Sequence, residues 1–447
     1  MSLDILKNLN EPIFYVTNDV GKGIGLENVL PNYHIVCLDD HPLVDILQKS
    51  GVSVFCLERA LGSKNVIFRS SGIILDHPAV LSFVKEKSRG LKPNILFFKP
   101  QRKIEIIAKR KDFNLIGNSV EVSRSFEDKV EFFKLCQKVG LRVPDGEIIK
   151  LSESNFGALV KKYGEVLVVQ FGRGWAGNST FFVSTENEWL NLQKRFAQLK
   201  VKVGRFVNGK TVLNNAVIFD NCTLVSEPAL QIKANKFLTS TQAGTGGRQW
   251  PSGLDSDQKE KIKKITFQVA DLMRATSYKG FFGLDFLIDK ETGEIFLSEN
   301  NARLTASVPF YTKLELRAGV FPLLGYHLLS FLSGSKVTSV DFEPAVISGG
   351  EIIARNTLKT KVKVNGSLAT GIYTKNFDFI TESYCLDLEG VGNFWLETVA
   401  KERIVNPEIE IAKINTFTCV CDDKGNLKKN YFKVIGKIRE KLKLEKF

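Results

Sequence analysis

Residues 280–305, GFFGLDFLIDKETGEIFLSENNARLT, decide how the rest of the chain is read. Two apolar runs, 281–288 and 295–297, flank the polar segment DKETGE, where Gly293 suits the positive-φ position of a tight turn. The runs therefore read as an antiparallel hairpin. With 291–293 as its loop, Lys290 faces Glu294, and counting outward puts Asp285 opposite Glu299. Facing Cβ atoms in such a pair are about 5 Å apart. Asn301 follows Glu299 by two residues and falls on the same face. Arg303, two further on, is expected to project from that face about one extended dipeptide beyond. Two carboxylates this close repel each other and are costly to bury unpaired, so a cation is their natural compensation. Carboxylate and amide oxygens suit a hard ion, Mg²⁺ or Mn²⁺.

The pattern Asp285-Phe286, then Glu299-x-Asn301-x-Arg303, resembles the metal-binding end of the ATP-grasp superfamily, and its closing arginine is similar to the biotin carboxylase branch. The resemblance implies that Asp285, Glu299 and Asn301 hold Mg²⁺ or Mn²⁺ against ATP phosphates, and that Arg303 meets a reacting carboxylate or bicarbonate. It implies a mixed α/β and α+β chain of three parts. These are a Rossmann-like domain over 1–122, an ATP-grasp core over 123–335 and an antiparallel β-rich lobe over 336–447. Within the core, a lid subdomain spans about 140–205 and the metal-site hairpin spans 280–305.

Upstream stretches extend the resemblance. In SFEDKVEFFKLCQKVG, Ser125 followed three residues later by Asp128 reads as a helix cap, and Gly140 as the stop. Lys129 looks like the lysine that reaches phosphate from this helix. The strand EVLVVQ runs into FGRGWAGNSTFFV, where Gly172, Gly174 and Gly177 let backbone N–H groups approach phosphate, and Asn178, Ser179 and Thr180 add donors. This reads as a lid loop over 172–180. Where the family carries a lysine before the loop, this chain has Gln170; Arg173 is the candidate to replace the charge, and otherwise nucleotide affinity falls. VGRFVNG resembles the adenine hinge, with Gly204 and Arg205 in place of acids, so adenine is assigned to the backbone beside Phe206 and Val207. Glu227 is a candidate nucleotide-side carboxylate, and Arg248, among glycines, a candidate for a substrate carboxylate.

Composition narrows the alternatives. The chain has 447 residues, of which 43% are hydrophobic and 25% charged, an ordinary globular balance. No apolar run approaches 18 residues and the start has no signal-peptide pattern, so a cytoplasmic protein without a membrane span is expected. Seven cysteines without a CxxC pair read as reduced thiols. The net charge of +13 suits acidic ligands such as nucleotide phosphates; the lysines are dispersed, with no nucleic-acid module. The basic C-terminus places Tyr431, Ile435, Ile438 and Leu442 at helical spacing, as a helix capping a domain does. Before residue 122, the runs PIFYVT, HIVCLD, VSVFCL, GIILD, NILFF and FNLIG read as strands of a parallel doubly wound sheet. Gly21, Gly23 and Gly25 after the first strand, with Asp39 and Asp40 ending the second, mimic a dinucleotide fingerprint at the wrong spacing.

The expected activity is an ATP-dependent carboxylate–amine ligase that forms an amide or peptide bond through an acyl phosphate and releases ADP and phosphate. Its partners would be a small carboxylate and an amine, amino acids or short peptides, in a chain free to form a homo-oligomer. Two alternatives stand beside it. A bicarbonate-dependent carboxylase would need a separate biotin carrier, since a biotinylation motif centres on Met-Lys and the only methionines are Met1 and Met273. A non-catalytic nucleotide-binding scaffold would explain Gln170 and the altered hinge.

Overall fold

The computed structural model describes residues 1–175, 178–233, 235–332, 342–387, 390, 392–422 and 425–447, with 173–175 and 178 described by backbone alone. The β-rich runs near the N-terminus form β1 (Ile13–Thr17), β2 (Tyr33–Cys37), β3 (Ser53–Cys56), β4 (Asn94–Phe97) and β5 (Asn114–Ile116), parallel in the order β3-β2-β1-β4-β5. Helices cover both faces, which is why these runs are continuously apolar. GIILD is not a strand. It lies in the helix Ser71–Asp76, with Ile74 and Leu75 buried. An apolar run this short is equally compatible with a buried strand or a buried helical turn, so its periodicity decides nothing. The glycine turn after β1 is the 3₁₀ turn Val20–Gly23, capped by the Asp19 carboxylate, which accepts from Gly21 N at 2.9 Å. Arg69 and Arg403 engage Asp39, and Arg59 engages Asp40, so the acids of the apparent dinucleotide fingerprint already have partners.

The next strands, β6 (Gly146–Lys150), β7 (Leu167–Trp175), β8 (Asn178–Val183) and β9 (Lys200–Arg205), make an antiparallel sheet ordered β6-β9-β7-β8. It has its own core around Val169, Phe171, Trp189, Val201 and Val203. The lid stretch departs from the expected open loop. β7 pairs with β8 from Leu167 to Gln170, the register then shifts, and pairing resumes at Trp175 with Asn178, so the stretch is an irregular hairpin whose flanking Phe, Thr and Trp favour extended backbone. Gly177 and the side chains of Arg173 and Asn178 lie outside the described residues, and Gly174 is described by backbone alone.

The largest sheet has eleven described strands. They are β10 (Gly209–Phe219), β11 (Cys222–Val225), β12 (Ala229–Lys233), β13 (Thr245–Trp250), β14 (Gly280–Asp289), β15 (Ile295–Asn301), β16 (Gly349–Arg355), β18 (Gly371–Tyr373), β19 (Phe379–Glu382), β20 (Phe394–Thr398) and β22 (Glu410–Thr416). Their order is β15-β14-β10-β12-β13-β16-β22-β20-β18-β19, with β11 alongside β10. A three-stranded sheet of β17 (Val362–Val364), β21 (Ile404–Val405) and β23 (Leu444–Lys446) completes the C-terminal part. One face of the large sheet packs Phe282, Leu284, Phe286 and Leu297 under the helix Ser256–Arg274. Its other face turns Leu213, Val217 and Phe281 toward the N-terminal sheet and the helices Val308–Arg317 and Leu323–Phe331. The candidate site lies along that second face. The C-terminal helix Lys429–Leu442 buries Tyr431, Ile435, Ile438 and Leu442, as their spacing predicts. No described helix is long and apolar enough to cross a membrane.

The strand that carries Asp285 starts at a tight point. Gly280 has φ +81°, and a Cβ there would sit 2.5 Å from His327 Nδ1 and 2.6 Å from Phe331 Cε2. The same His327 nitrogen accepts from Phe281 N at 3.0 Å. Gly280→Ala is therefore expected to cost about 3 kcal/mol, the sum of a left-handed backbone penalty and overpacking. The denaturation midpoint should fall while the slope stays constant.

Candidate functional site

The hairpin forms, and Asp285 pairs with Glu299 as the spacing predicts, although by a different route. The turn takes one more residue than expected. Asp289 N donates to Glu294 O, Gly293 N to Asp289 O, and the Asp289 carboxylate accepts from Glu291 N and Thr292 N. Next to the turn, Ile288 therefore pairs with Ile295, one residue off the expected register. A β-bulge at Ser298 restores the count, so that Asp285 meets Glu299 and Gly283 meets Asn301. Without the bulge, every side chain beyond it would change face.

The two carboxylates sit in unlike surroundings. Gln231 Nε2 donates to Asp285 Oδ1 at 2.6 Å. Burial, with the charge of Glu299, pushes the Asp285 carboxyl above the usual range against the pull of Lys233. Burial also opposes the charge on Glu299, but Lys129, Lys233 and Arg303 outweigh it and hold its carboxyl below the usual range. Lys129 forms an ion pair with Glu299, so the candidate phosphate lysine and a candidate metal ligand meet directly. The helix of Lys129 begins at that residue. Asp128, not Ser125, is the N-cap of Lys129–Lys138, accepting from Val130 N and Glu131 N, while Ser125 lies inside the preceding helix Val120–Glu127.

Arg303 does not continue the strand. β15 ends at Asn301, and Arg303 N donates back to Asn301 O at 2.8 Å, turning the chain. The guanidinium consequently folds over its own neighbourhood: Nη2 donates to Asn301 Oδ1 at 2.8 Å, Nη1 to Leu304 O at 3.0 Å, and Nε lies 2.7 Å from Glu127 Oε1. Its plane rests on the Phe98 ring, 5.0 Å from the centroid, and Lys22 approaches the same ring at 5.5 Å. Arg303 thus ties the end of β15 to Glu127 and Phe98.

The other candidates divide. Gln170 is buried on β7, with Nε2 3.4 Å from Thr180 Oγ1. Phe206 and Val207 join β9 to β10, and their backbone groups form no hydrogen bond outside the strand ladders among the described residues. Arg205, in the candidate hinge, reaches Asp289 at 3.4 Å and Asp145 at 3.6 Å, tying the small sheet to the turn of the β14–β15 hairpin. Glu227 is not brought to the carboxylates. It pairs with Lys259 at 2.8 Å, and Gln231, which does reach Asp285, lies four residues along the chain, about 13 Å of extended strand. Arg248 is neither in a loop nor at the surface. It lies in β13, 5% exposed, with Nη1 3.2 Å from Glu351 on β16. Glycines at 246 and 247 reflect close strand crossings and not a mobile turn.

Four residues of the site were not singled out by spacing: Gln231, Lys233, Glu127 and Lys202. Gln231 and Lys233 alternate on β12, a period visible in LQIK, but nothing local says which strand β12 adjoins. Lys202 lies opposite Gln170 on β9, 6% exposed, with its ammonium 4.7 Å from the Phe133 ring centroid. Burial and the neighbouring charge of Lys129 push that ammonium down to about 8.

Beyond Gln231 the same face carries a row of polar partners. Gln231 pairs across strands with Arg248, Arg248 with Glu351, and Glu351 with Asn415. The row ends at a cavity of about 120 Å³ lined by Phe310, Lys313, Glu351, Trp395, Lys413 and Phe417. Lys313 is paired with Glu27, and Lys413 lies 3.2 Å from Glu397, so the cavity presents both signs of charge between aromatic walls.

The residues fit a hard divalent ion. Among the described residues, no three His, Cys, Asp or Glu side chains gather as a metal site. An ion here would take Asp285, Glu299 and the Asn301 amide oxygen, the sparse set that Mg²⁺ accepts when water and phosphate complete its shell. The raised Asp285 carboxyl facing Glu299 is the charge such an ion would relieve.

No family model matches the sequence. The fold does have solved counterparts. The chain is similar to biotin carboxylase from Campylobacter jejuni, solved as a β,γ-ATP complex, with TM-score 0.62 and 14% identity over 98% of this chain and 92% of that one. It is also similar to the biotin carboxylase domain of 2-oxoglutarate carboxylase from Hydrogenobacter thermophilus, solved with MgADP, ADP and bicarbonate. There the TM-score is 0.61, with 12% identity over 91% and 86%. N5-carboxyaminoimidazole ribonucleotide synthetase from Thermotoga maritima matches with TM-score 0.55 and 13% identity over 98% and 99%. A parallel N-terminal sheet, a small antiparallel sheet over a hinge, and a large antiparallel sheet carrying the paired carboxylates together make this an ATP-grasp fold.

Proposed function

We propose that the chain is an ATP-dependent carboxylate–amine ligase, acting on amino acids or short peptides. The observation that carries this is the pairing of Asp285 with Glu299 beside Asn301, with Lys129 on Glu299 and Arg303 on Asn301, in a fold whose solved counterparts hold adenine nucleotides and Mg²⁺. A substrate carboxylate oxygen attacks the γ-phosphorus of ATP as the bond to the ADP oxygen breaks. The amine nitrogen then attacks the acyl carbon, phosphate leaves with the acyl oxygen, and the amine proton passes to phosphate or solvent. Such transfers are promoted chiefly by positioning and charge neutralisation.

Asp285, Glu299 and Asn301 would hold Mg²⁺ or Mn²⁺, which supplies charge neutralisation at the phosphates when bound. Lys129 holds phosphate from the helix terminus, and the backbone of 206–207 receives adenine. Arg303, released from Asn301 Oδ1, presents its Nη donors to the substrate carboxylate. The mixed-charge cavity by Lys313, Glu351 and Lys413 suits an ammonium and a carboxylate on one small body, as in an amino acid.

A second reading, carboxylation with bicarbonate, has the names of two counterparts in its favour. The test is an ADP-release screen with MgATP against amino acids, dipeptides and bicarbonate. Stimulation by an amino-acid pair supports ligation, stimulation by bicarbonate alone supports carboxylation, and absence of both leaves a nucleotide-binding scaffold.

A further inference from the structure

We propose that Lys202 is a phosphate-binding residue of the nucleotide site, an inference that rests on the nucleotide reading above. Lys202 is a cation placed where a protein gains nothing from it unless an anion arrives. It is 6% exposed, yet no described carboxylate lies within ion-pair distance of its ammonium, and the undescribed 176–177 are Ala and Gly. Its ring contact is the face of Phe133, 4.7 Å away, while Glu299 and Cys136 favour the ammonium only through space and do not offset its burial and the charge of Lys129. An isolated buried ammonium is costly, and a cation–π contact repays only about 1–2 kcal/mol of that cost.

The position is specific. β9 puts Val201 and Val203 into the core of the small sheet and turns Lys202 to the opposite face. That face meets the helix Lys129–Lys138, so Lys202 and Lys129 are neighbouring positive charges. Glu299 is ion-paired with Lys129 and reaches Lys202 only through space, without an ion pair among the described residues. Among the described residues, Lys129, Lys202, Lys233 and Arg303 are four cations gathered around the three acids Asp285, Glu299 and Glu127. A divalent ion on the carboxylates would add to this excess. Only a multiply charged anion balances it, and a nucleoside polyphosphate does so while bridging the ion and the two lysines. Across the ladder, Lys202 faces the uncharged Gln170.

The experiment measures ADP and MgATP affinity by calorimetry, together with thermal stability, for wild type, Lys202→Gln, Lys202→Met and the double variant Gln170→Lys/Lys202→Gln. Removing the ammonium should weaken ADP binding about 10- to 100-fold, the scale of one charge-assisted hydrogen bond to phosphate. It should also raise the melting temperature of the nucleotide-free protein, because a buried uncompensated charge is gone. The double variant moves the lysine to the facing strand position, about 5 Å away, and should recover most of the lost affinity. If Lys202 only packs its stem on Phe133, both single variants bind ADP like wild type and melt lower, and the proposal is overturned. If wild type binds neither ADP nor MgATP, the nucleotide reading fails and this inference with it. If wild type binds and all variants bind equally, the nucleotide reading stands and only Lys202 is dismissed.

Discussion

Glu299→Gln should retain the fold and lose metal-dependent ADP release by about 10³-fold or more, the several kcal/mol of charge stabilisation expected of a catalytic cation. The substitution preserves the shape and one oxygen of the side chain but removes the charge. That charge has two jobs in the structure. It faces Asp285, whose carboxyl is already raised by burial, and it answers Lys129, whose side chain is 9% exposed. Loss of Glu299 therefore weakens the ion site and leaves Lys129 without its partner. The second effect should lower stability by about 2 kcal/mol, the cost of stranding a largely buried charged group. A Lys129→Gln/Glu299→Gln double variant separates the two, since it should regain most of the stability and none of the activity. ADP release that keeps its Mg²⁺ dependence in Glu299→Gln would remove the assignment of the ion to this pair.

The other large effect is expected at Arg303. Arg303→Ala should bind ATP within about threefold of wild type and lose product formation by on the order of 10²-fold or more, the usual effect of removing a preorganised charge donor. The structure adds a competing role that the measurement must resolve. Arg303 Nη2 donates to Asn301 Oδ1, so the arginine could act by orienting a metal ligand instead of meeting the acceptor. Arg303→Lys distinguishes them. A lysine keeps the charge but cannot hold Asn301, Leu304 and Glu127 in one fork. If the concentration of Mg²⁺ needed for half-maximal rate rises while the carboxylate KM stays put, the residue positions Asn301. If the carboxylate KM and the rate both suffer at saturating Mg²⁺, it meets the substrate. Collapse of ATP affinity in Arg303→Ala, with undiminished dependence on the carboxylate, would place Arg303 at the phosphates.

The altered hinge shows how a departure from a family pattern is read differently once neighbours are known. From the sequence, Gly204 and Arg205 stand where acids are usual, and a weakened nucleotide site is a fair expectation. In the structure Arg205 bridges Asp145 and Asp289 and stacks on Phe296, 5.1 Å from the ring centroid. Its side chain joins the small sheet to the turn of the β14–β15 hairpin. Gln170, where a lysine is expected, has Lys202 directly across the ladder.

What the sequence by itself determined is local and periodic. Strand alternation and a glycine turn were enough to pair Asp285 with Glu299, and helical spacing was enough to bury Tyr431, Ile435, Ile438 and Leu442. These follow from side-chain periods of two and 3.6 residues, which depend only on near neighbours in the chain. Even there, two irregularities cancelled: the longer turn and the Ser298 bulge shifted the register in opposite senses. The tertiary structure alone decided which elements adjoin. Gln231 reaches Asp285 from 54 residues away, and Glu351 meets Arg248 because β16 lies beside β13. Lys202 meets Lys129 because β9 lies against the helix Lys129–Lys138. Strand order is set by the packing of whole apolar faces, a property of the sum of many side chains, and no short motif carries it. For that reason Arg248, a candidate for a substrate carboxylate, proved to be a buried partner of Glu351, while Lys202, buried without an ion pair among the described residues, gave no local sign of itself.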